Sequence, residues 1–454
     1  MKMKQGETKE VKYEKGKLLV EGKTKKIFEV VGCSDLVWVE YKNTITKHDN
    51  PDLTKEFETK ARLSNKVNTK VFLLLKQAGI PVAFVKELSS TEFIARKCDM
   101  IGLEVVMRRF AVGSYLKRSP SLKKAKGEVP KRFHRLVIEF FLKTTKGKLI
   151  NSSGKLLIDG LDPKKGEEDP YIPNPKEDEW KLHHSKKPLW DPNVYLGSVQ
   201  RNDVLGEHAI DYTRTMIDVA KRVFLVLEGA WNTLGHRLID MKIEFGVTKE
   251  EKLIVADVID NDSWRLRTSD WERLSKEAFR QNEALSEVEK KYGIVASLVE
   301  KWRIPSQALI IWRGSKKDSL PEIPEINNCS LSDIGVGVEL VTLSGHKSTR
   351  QALDKLDELV GKYPDGGVIF VKVGMSNGLG PILATHVLWP VINLPASLKD
   401  FPNDIWSSTR MPSKVPCATI NREQNAILFA LNVLAIINPC LYAFRQKEIE
   451  ELDY

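Results

Sequence analysis

The sequence predicts two folds in one chain: an α+β domain, followed by a three-layer α/β/α domain built on a parallel sheet. In the first part, short β-rich runs such as LEVVMRRFAV are mixed with single long helices such as KARLSNKVNTKVFLLLKQAG. From Pro305 onwards, apolar strands alternate with amphipathic helices, which is typical of a parallel sheet with helices on both faces. With 454 residues, the chain is long enough for two or three domains.

Composition and cysteine usage exclude several classes of protein. Hydrophobic residues account for 42% and charged residues for 29% of the chain, as in globular proteins. The five cysteines are odd in number and follow no zinc or disulfide spacing, which favours a reducing compartment and predicts a cytoplasmic protein. The polar start has no signal-peptide core, and the most apolar run, 426–437, falls short of the ~20 residues of a membrane span. We therefore expect neither secretion nor membrane binding.

The spacing of apolar residues predicts the elements of the first domain. Alternation predicts strands in KLLVEGKTKKIFEV, DLVWVEYKN, EFIARKCDM and LEVVMRRFAV. Helical spacing predicts a helix that ends at Gly79 and a longer amphipathic helix that ends at Gly235. RLIDMKIEFGV and KLIVADVID predict a β-hairpin rich in acidic residues. A helix that is polar on one side follows and ends in VEKWR, and we expect it to bridge the domains.

Residues 146–190 lack this periodicity and are rich in Lys, Asp, Glu and Pro. We therefore predict an exposed charged insertion or long loop there. The segment contains His183 and His184, which could bind a metal ion, although adjacent histidines in a Lys-rich loop are more often solvated. The predicted organisation is a first domain over 1–284 that includes the insertion, a linker helix over 285–305 and a second domain over 306–454.

In the second domain, strands are predicted in QALIIWRGS, GVGVELVTLSG, GGVIFVKVG and HVLWPVINLPA, and helices in TRQALDKLDELVGKY and NREQNAILFALNVLAII. Three strands end in the small-residue loops GSKKD, LSGHK and GMSNGLGP. Because the carboxyl ends of parallel strands share one edge, we expect the loops to form a phosphate-binding site. His346, beside Ser344 and Lys347, suits an acid–base or electrostatic role, and a structural role is equally compatible.

Two basic segments of the first domain are candidates for anion binding. The turn Glu21–Lys26 carries three lysines beside a glycine, so that ammonium and N–H groups can reach phosphate oxygens. A solvated hairpin explains these residues equally well. The segment Arg108–Arg118 places two arginines before a Gly-Ser pair, which fits a phosphate or carboxylate because guanidinium groups bind both in a bidentate way. An ordinary basic loop is the alternative.

Acidic residues of the predicted hairpin form the strongest local pattern. In a strand, Asp240, Lys242 and Glu244 share one face, and across the hairpin Asp257 can lie beside Glu244. Two converging carboxylates suit an Mg²⁺ ion that bridges nucleotide phosphates. Acids on a solvated strand face are the alternative, but the apolar flanking residues favour a site.

Four segments in this order, EGKTKKIF, EVVMRRFAVGSYLKR, DMKIEFG and ADVIDNDSWRL, resemble the SAICAR synthetase (phosphoribosylaminoimidazole-succinocarboxamide synthetase) family. The resemblance implies a SAICAR-synthetase-like fold of the ATP-grasp or kinase-like type. It also implies a ligase that joins L-aspartate to carboxyaminoimidazole ribonucleotide (CAIR), with ATP and Mg²⁺ as cofactors. The implied ligands are, for ATP, Lys23, Lys25, Lys97, Met100 and Lys143, with the segment Lys97–Met100 as the adenine hinge; for Mg²⁺, Glu244 and Asp257; and for the ribonucleotide, Arg108, Ser114, Asp240, Lys242 and Arg265.

The family continues after Lys143 into an Asp-Pro segment. Either Asp169-Pro170 or Asp191-Pro192 could correspond to it, because the insertion intervenes. The loop after Ile45, TKHDNPDLTKEFETK, also departs from the family pattern, which carries glycine there. Ligands in both regions are therefore left open by the sequence.

The three loops of the second domain, together with DIWSSTRMPSKVPCAT, resemble the AIR carboxylase family. The resemblance implies a flavodoxin-like fold and a lyase that adds CO₂ to aminoimidazole ribonucleotide (AIR) without ATP or biotin. The product of this reaction is the substrate of the synthetase. The order of the two domains, synthetase first and carboxylase second, resembles the fused purine enzymes of animals. The resemblance to the carboxylase family also implies a homo-oligomer, which is an octamer in this family. The implied catalytic residues are Ser344, His346 and Lys347, and the implied ribonucleotide ligands are Gly314, Ser315, Asp318, Gly374, Ser376 and Asn377.

This domain departs from the family pattern in each loop. The usual Gly-Ser-x-Ser-Asp reads GSKKD, so that Lys317 replaces a hydroxyl group. Where the family has Ala-Gly-Arg-Ser, this chain has Met375 in place of the arginine. Where the family has Ser-Ala-His, this chain has Gly345 in place of the alanine. One hypothesis is that Lys317 supplies phosphate charge in place of the missing contacts.

Two alternatives belong to other classes of protein. In the first, the chain is a synthetase whose carboxylase-like domain is only structural or holds an oligomer together. In the second, the basic stretch Lys117–Arg135 binds a nucleic acid. This stretch has few aromatic residues and no recognised motif, so we predict a solvated face or an electrostatic funnel for anionic substrates, and no nucleic-acid partner.

Overall fold

The computed structural model describes residues 12–47, 50–125, 127–151, 154–326 and 329–452, so the polar start of the chain, residues 1–11, lies outside the described part. The chain forms two compact units that are each assembled from separate stretches of sequence. Unit 1 consists of Met1–Leu73, Pro81–Ala220 and Leu238–Lys301. Unit 2 consists of Leu74–Ile80, Lys221–Arg237 and Trp302–Tyr454.

The part of the chain before residue 302 alternates short strands with a few helices, as the apolar spacing predicts. In chain order its elements are β1 Lys15–Glu21, β2 Lys25–Val30, β3 Leu36–Tyr41, β4 Thr44–Lys47, β5 Asn50–Glu56, α1 Lys60–Gln77, β6 Phe84–Ser89, β7 Glu92–Arg96, β8 Asp99–Phe110, α2 Ser114–Arg118, β9 Arg132–Leu142, β10 Leu149–Ile150, β11 Leu156–Ile158, β12 Tyr171–Ile172, β13 Glu179–His183, β14 Tyr195–Gln200, α3 Arg201–Leu205, α4 Ala209–Asn232, β15 Arg237–Val247, β16 Leu253–Val255, β17 Trp264–Arg267, α5 Glu277–Arg280 and α6 Leu285–Val299. Helices α1 and α4 end close to the predicted Gly79 and Gly235.

Two antiparallel sheets organise unit 1. The first has the strand order β1-β2-β3-β7-β6. The second has the order β14-β13-β12-β9-β8-β15-β16, with β17 also paired to β15. Strands β4 and β5, and β10 and β11, form two-stranded ribbons. The α+β class predicted for this part of the chain is confirmed.

The prediction of a long loop over 146–190 is wrong for part of that segment. Strands β12 and β13 extend the larger sheet, because Tyr171 pairs with Phe141 on β9 and with His183 on β13. Trp180 and Leu182 are buried while Lys181 between them is exposed, so a strand pattern of period two is hidden in a charged segment.

His184 has a structural role at the end of this strand. Its Nε2 atom donates to the carbonyl of Lys165 at 3.1 Å, and its Nδ1 atom accepts from the N–H of Lys186 at 3.1 Å. Both ring nitrogens are therefore used inside the protein. Burial, followed by the charge of Lys181, lowers the pKa of the adjacent His183.

Helix α6 belongs to the core of unit 1. Its residues Val288 and Tyr292 are fully buried against Ile45 and Phe57, and the Phe57 and Tyr292 rings meet edge to face with centroids 5.6 Å apart. The sequence suggested a linker helix over 285–305. In the structure, the apolar face of α6 packs into the core of unit 1 and holds the helix there.

The part of unit 2 that follows residue 301 alternates strands and helices. Its elements are β18 Gln307–Arg313, β19 Val336–Thr342, α7 Thr349–Lys362, β20 Gly367–Val373, α8 Leu379–Ala384, β21 Val391–Pro395, α9 Ile405–Thr409, β22 Cys417–Thr419, α10 Glu423–Leu434 and α11 Pro439–Glu451. The strands form one parallel sheet in the order β19-β18-β20-β21-β22. Strand β19 pairs with one edge of β18, and the next strand in the chain, β20, pairs with its other edge. The direction in which strands are added to the sheet therefore reverses between β18 and β20.

Helices cover both faces of this sheet. Leu309 and Ile311 on β18 pack with residues of α10 and α11, whereas Ile310 and Trp312 pack with residues of α7 and α8. Alternate residues of one strand thus enter two separate apolar cores. The predicted three-layer α/β/α fold with a parallel sheet is confirmed. Among the described residues, no helix has both the length and the apolar character that crossing a membrane requires.

Two tryptophans test whether the segment 146–190 is part of the core. Trp180 is fully buried, whereas Trp190 is 79% exposed. We expect Trp180→Ala to lower the free energy of unfolding by about 3–5 kcal/mol because it leaves a cavity under β13. The control Trp190→Ala should change it by less than about 0.5 kcal/mol. Urea unfolding followed by circular dichroism measures both, and equal effects of the two substitutions would contradict the sheet extension.

Candidate active sites

The pairing of β8 with β15 determines which charged side chains meet on one face of the larger sheet. The register places Arg108 opposite Asp240 and Glu104 opposite Glu244. Lys242 lies between the two acids on β15, pairs with Glu104 and lies 3.7 Å from Glu244 Oε1. The structure therefore confirms that Asp240, Lys242 and Glu244 share one face of β15, as the sequence predicts.

The Glu244 and Asp257 carboxylates are brought together because β16 runs alongside β15. The N–H of Ala256 donates to the Glu244 carbonyl at 3.0 Å, so that Asp257 follows directly beside Glu244. Each carboxylate holds a lysine. Lys143 Nζ lies 2.9 and 2.8 Å from the two oxygens of Glu244, and Lys25 pairs with Asp257.

Burial and charge act on these acids in opposite directions. Burial and the charge of Asp257 raise the pKa of Glu244, although Lys143 and Lys242 act against the shift. Burial also raises the pKa of Asp257, but Lys25 and Lys242 outweigh it and hold that pKa below its usual range. The two carboxylates repel each other, so a divalent cation between them would be stabilised.

The donor set of this pair fits a magnesium ion. Carboxylate oxygens are hard ligands, and Mg²⁺ is usually held by one or two of them together with phosphate oxygens and water. In the described part of the chain, no group of three or more His, Cys, Asp and Glu side chains is arranged for metal binding. Glu244 and Asp257 therefore suit an ion shared with a phosphate ligand rather than one enclosed by protein alone.

The turn between β1 and β2 carries the two lysines predicted to bind phosphate. The N–H of Gly22 donates to the Lys25 carbonyl at 2.8 Å and closes the turn. Thr44 Oγ1 donates to the Lys23 carbonyl at 2.5 Å, which ties the turn to β4. The backbone of both lysines is thus fixed, and the Lys25 side chain points towards the carboxylate pair.

The predicted adenine hinge, Lys97–Met100, connects β7 in the smaller sheet with β8 in the larger sheet. The N–H of Lys97 donates to the Asp35 carbonyl at 2.8 Å. The backbone of Met100 pairs with Gly246, while its side chain is half-exposed. An exposed apolar side chain where two sheets join suits contact with a flat ring, and the hinge role stays a prediction.

Asp240 lies between two guanidinium groups. Arg108 and Arg265 both donate to its Oδ2 atom. Arg108 also donates to Glu139 Oε2 at 2.5 Å and to Ser114 Oγ at 3.0 Å. Burial lowers the pKa of Arg108, but the two acids outweigh it and the pKa is raised, so this buried cation stays charged. Four of the predicted ribonucleotide ligands, Arg108, Ser114, Asp240 and Arg265, thus form one connected group, whereas Lys242 pairs with Glu104 and Glu244.

The glycine of the Gly-Ser pair permits this approach. Gly113 precedes Ser114, has a φ of 59°, and a Cβ atom placed on it would lie 2.7 Å from Arg265 Nη2. A residue with a side chain would meet both a strained backbone and the guanidinium group. The Gly-Ser signal in the sequence therefore corresponds to a close approach of Arg265.

Two acids on this face, Glu104 and Glu139, were missed by the sequence reasoning. Glu104 is four residues before Arg108 on β8, so strand alternation could have identified it. Glu139 lies on β9 and pairs with Arg108 and Arg118. No local signal marks Glu139, because its partners depend on which strand lies beside β8.

Of the two Asp-Pro pairs, Asp169-Pro170 is the one beside Lys143. Asp169 Oδ1 accepts from the N–H of Thr144 at 2.9 Å. Asp191 instead closes a turn, accepting from the N–H of Asn193 at 2.8 Å. Burial, with a contribution from neighbouring carboxylates, raises the pKa of Asp169 to about 6. Asp169 is therefore a further titratable group of this site.

A buried network holds the chain that follows Asp257. Lys60 is 1% exposed, donates to Ser64 Oγ at 2.7 Å and lies 3.5 Å from Asp262 Oδ1. Asp262 also accepts from Lys276 Nζ at 2.9 Å and from the Tyr292 hydroxyl. Burial raises the pKa of Asp262, but Lys60 and Lys276 outweigh it and hold the pKa below its usual range. The loop between Asp257 and Arg265 is thus anchored by charge.

The three small-residue loops of unit 2 follow β18, β19 and β20 at the carboxyl edge of the sheet, where its strand order reverses. A Cβ atom placed on Gly378 would lie 2.5 Å from His346 Nε2, so the exposed His346 ring lies against the third loop. The N–H of Leu343 donates to the Arg313 carbonyl at 3.2 Å, which joins the first two loops. All residues predicted for this site lie on these loops, namely Ser344, His346, Lys347, Gly314, Ser315, Asp318, Gly374, Ser376 and Asn377.

The loop residues differ in how far they are already engaged. Ser344 Oγ accepts from the N–H of Lys347 at 3.3 Å and shapes the turn that carries His346. Asn377 is buried, donates to Ser408 Oγ at 3.1 Å and accepts from a backbone N–H. Asn377 therefore holds the loop, whereas Ser315, His346, Lys347 and Ser376 are exposed.

Comparison with known proteins identifies the class of each unit. The SAICAR synthetase family matches residues 18–159 and 185–297, and the AIR carboxylase family matches residues 308–451. A solved SAICAR synthetase (Type-2) in complex with ADP is 24% identical, covers 63% of this chain and 98% of its own, and has a TM-score of 0.46. PurE of Treponema denticola is 21% identical, covers 32% of this chain and 91% of its own, and has a TM-score of 0.27.

Relatives that carry both units match almost the whole chain. The probable multifunctional protein ADE2 of Caenorhabditis elegans is 33% identical over 439 residues, which are 94% of this chain and 91% of that protein. The bifunctional phosphoribosylaminoimidazole carboxylase/phosphoribosylaminoimidazole succinocarboxamide synthetase of Homo sapiens is 32% identical over 444 residues, 94% of this chain and 92% of that protein. The chain belongs to this family of bifunctional AIR carboxylase/SAICAR synthetase proteins.

The Lys60–Asp262 network can be tested by removing one partner. We expect Asp262→Ala to lower the free energy of unfolding by about 3–5 kcal/mol, because it removes the ion-pair partner of the buried Lys60 ammonium group and the acceptor of Lys276 and Tyr292. The control Asp270→Ala removes an exposed acid eight residues further along and should have little effect. Guanidinium unfolding measures the difference. Equal stability of the two variants would contradict the anchoring role of Asp262.

Proposed function

We propose that unit 1 contains the SAICAR synthetase site and unit 2 the AIR carboxylase site of a bifunctional enzyme of purine biosynthesis. The observation that carries the proposal is the clustering of the predicted residues. In unit 1, Arg108, Asp240, Lys242 and Glu244 share one face of the larger sheet, and Lys143 and Lys25 lie on the Glu244 and Asp257 carboxylates. In unit 2 they lie on three adjacent loops at the edge where parallel sheets bind ligands.

In unit 1, the residues around Glu244 would bind the nucleotide. Lys25 and Lys143 lie on the two carboxylates, so their ammonium groups are positioned to contact phosphate oxygens. Lys23 would contribute from the same turn. Glu244 and Asp257 would hold Mg²⁺, which when bound neutralises charge on the phosphates of ATP. Lys97 and Met100 would contact adenine.

The reaction in unit 1 needs an activated carboxylate. A carboxylate is a poor electrophile, so ATP converts that of CAIR to an acyl phosphate, and lysine charges stabilise the transferring phosphoryl group. The amine of L-aspartate then forms the amide bond and phosphate leaves, which gives SAICAR, ADP and phosphate. Arg108, Ser114, Asp240, Lys242 and Arg265 would hold the ribonucleotide in place for this attack.

In unit 2, the substrate itself supplies the nucleophile. The enamine carbon C4 of AIR is electron-rich and attacks CO₂ without ATP or biotin, so the protein has to position CO₂ and move one proton. His346 is exposed beside Ser344 and Lys347 and is the candidate for this proton transfer. Gly314, Ser315, Asp318, Gly374 and Ser376 would contact the ribonucleotide, while Asn377 would keep the third loop in shape.

The proposal extends to assembly and location. All five cysteines are free thiols, which agrees with a reducing cytoplasm. Several large apolar side chains of unit 2 are exposed, among them Leu388 and Ile436 at 102% and 72%. Such residues are suited to contacts between subunits, so we propose a homo-oligomer, an octamer as the carboxylase family suggests.

Two substitutions separate the two activities on one purified chain. Carboxylation is measured with AIR and bicarbonate in the absence of ATP and L-aspartate, and ligation with supplied CAIR, ATP, Mg²⁺ and L-aspartate. We expect Lys25→Met to lower kcat of ligation by a factor of at least about 100, because a phosphate ligand is lost, and to leave carboxylation unchanged. We expect His346→Ala to have the opposite pattern, with carboxylation lost and ligation unchanged.

Each variant serves as the folding control of the other, since its second activity reports on the same preparation. Wild-type protein that ligates CAIR but forms no carboxylated product would favour the alternative in which unit 2 is only structural. That alternative is motivated by the GSKKD sequence and by Met375.

The raised pKa of Asp169 predicts a pH dependence of ligation. Asp169 lies beside Lys143 and would hold the amino group of L-aspartate through its carboxylate. Because its pKa is about 6, the carboxylate loses its charge as the pH falls through that value. We expect kcat/KM for L-aspartate to decrease below pH 6, and Asp169→Asn to have a low and flatter profile. Asp191→Asn, at the other Asp-Pro pair, is the control and should keep the wild-type profile; a wild-type profile for Asp169→Asn would contradict the role.

A further inference from the structure

Two lysines stand side by side on the first loop of unit 2. Lys316 and Lys317 lie in the segment Gly314–Ser319 that follows β18, and both are exposed. Within the described ranges, neither ammonium group has a hydrogen-bonding or ion-pair partner. Exposed lysines are common on protein surfaces, so their position matters more than their exposure. This loop borders the point where the strand order of the sheet reverses.

The other two cations near this loop have structural partners. Arg313 Nη1 donates to the carbonyl of Asp318 at 2.9 Å. Lys372 is buried on β20, donates to Ser319 Oγ at 2.6 Å and pairs with Glu423. Arg313 and Lys372 thus hold the end of the loop in place. The two exposed lysines project from a loop whose shape is already fixed.

The backbone of this loop is also engaged. The N–H of Gly314 donates to the Lys372 carbonyl at 3.3 Å, and that of Ser315 donates to Asp318 Oδ2 at 3.0 Å. The N–H groups of Lys317 and Asp318 donate to Ser315 Oγ and to the Ser315 carbonyl, both at 3.2 Å. A loop that binds phosphate through its backbone needs several N–H groups turned towards the anion. Here most of them are turned inward, so recognition of an anion falls to the side chains.

The neighbouring third loop supplies no positive charge. Met375 is 64% exposed, has a φ of 67°, and its N–H donates to Asp404 Oδ2 at 3.0 Å. A methionine is held in a left-handed conformation at the surface of the site, where it offers an apolar contact only. Besides Lys316 and Lys317, the only lysine on the three loops is Lys347, which adjoins His346 on the second loop.

We propose that Lys316 and Lys317 bind the phosphate group of AIR in the carboxylase site. This inference rests on the function proposed for unit 2, which requires a phosphoribosyl substrate. A phosphate dianion gains from two ammonium groups on one rigid loop, since each acts as a compact point charge with rotatable donors. Lys347 on the second loop is then left to the aminoimidazole end of the substrate, beside His346. The pair thus provides the charge that the first and third loops otherwise lack.

The test compares AIR with its nucleoside, which lacks the phosphate group. We expect the double variant Lys316→Gln, Lys317→Gln to raise KM for AIR by about 10- to 100-fold with little change in kcat, because charged hydrogen bonds made equally in the ground and transition states are lost. The KM for the nucleoside should not change. The preference of the enzyme for AIR over the nucleoside should therefore decrease by the same factor, whereas Lys316→Arg, Lys317→Arg should retain it.

Two further variants serve as rescue and control. Adding Met375→Arg to the double variant returns a cation to the adjacent loop and should recover part of the preference for AIR. Lys362→Gln removes a lysine at the far end of α7, where it pairs with Glu339, and should leave both KM values unchanged. An unchanged KM for the nucleoside confirms that unit 2 is folded in each variant, and ligation of supplied CAIR confirms the same for unit 1.

The outcomes separate this inference from the function on which it rests. If the wild type carboxylates AIR and the double-glutamine variant keeps its preference for AIR over the nucleoside, the phosphate role is overturned and the carboxylase function stands. If the wild type forms no product, the carboxylase function fails. Equilibrium dialysis of AIR then decides the inference: weaker binding by the double-glutamine variant supports it, and equal binding overturns it.

Discussion

The antiparallel register between β8 and β15 is the constraint on which the first site depends. Side chains of a strand alternate between two faces, so this register alone brings Glu104 and Arg108 to the charged residues of β15. The alternate positions, among them Val105, Met107 and Ile243, are fully buried on the apolar face. A slip by one residue would bury the charges and expose the apolar residues, which is strongly unfavourable. The apolar face thus holds the charged face in register.

Charges on this face are arranged so that each buried group has an opposite partner. Asp240 lies between two arginines, and Lys242 lies between two glutamates. Removing such groups from water is costly, and pairing offsets much of that cost. The pairs at Lys25 and Lys143 have a further consequence. Both lysines lie on the carboxylates proposed to hold Mg²⁺, so in the proposed nucleotide complex they would exchange these partners for phosphate oxygens.

Unit 2 positions its site by a different physical rule. All strands of its sheet run in the same direction, so the loops after β18, β19 and β20 must emerge at one edge. The strands are buried on both faces by helices, which leaves the edge as the place for polar groups. Loop residues such as Asn377 and Asp318 use their polar atoms to hold the loops in shape. Exposed side chains on the same loops, His346 among them, are the ones proposed to act on the substrate.

The amino-acid sequence by itself determined the fold classes and most elements, and it supplied the residues proposed for both sites. Strand alternation and helical spacing are local properties, so the parallel sheet, helices α1 and α4 and the shared face of Asp240, Lys242 and Glu244 could be predicted from neighbouring residues. The tertiary structure alone decided which partners these residues have. It placed Asp169 rather than Asp191 beside Lys143, gave Arg108 its partner Glu139, and formed sheet strands in part of 146–190. These outcomes depend on which distant strands pair, and no local pattern encodes that choice.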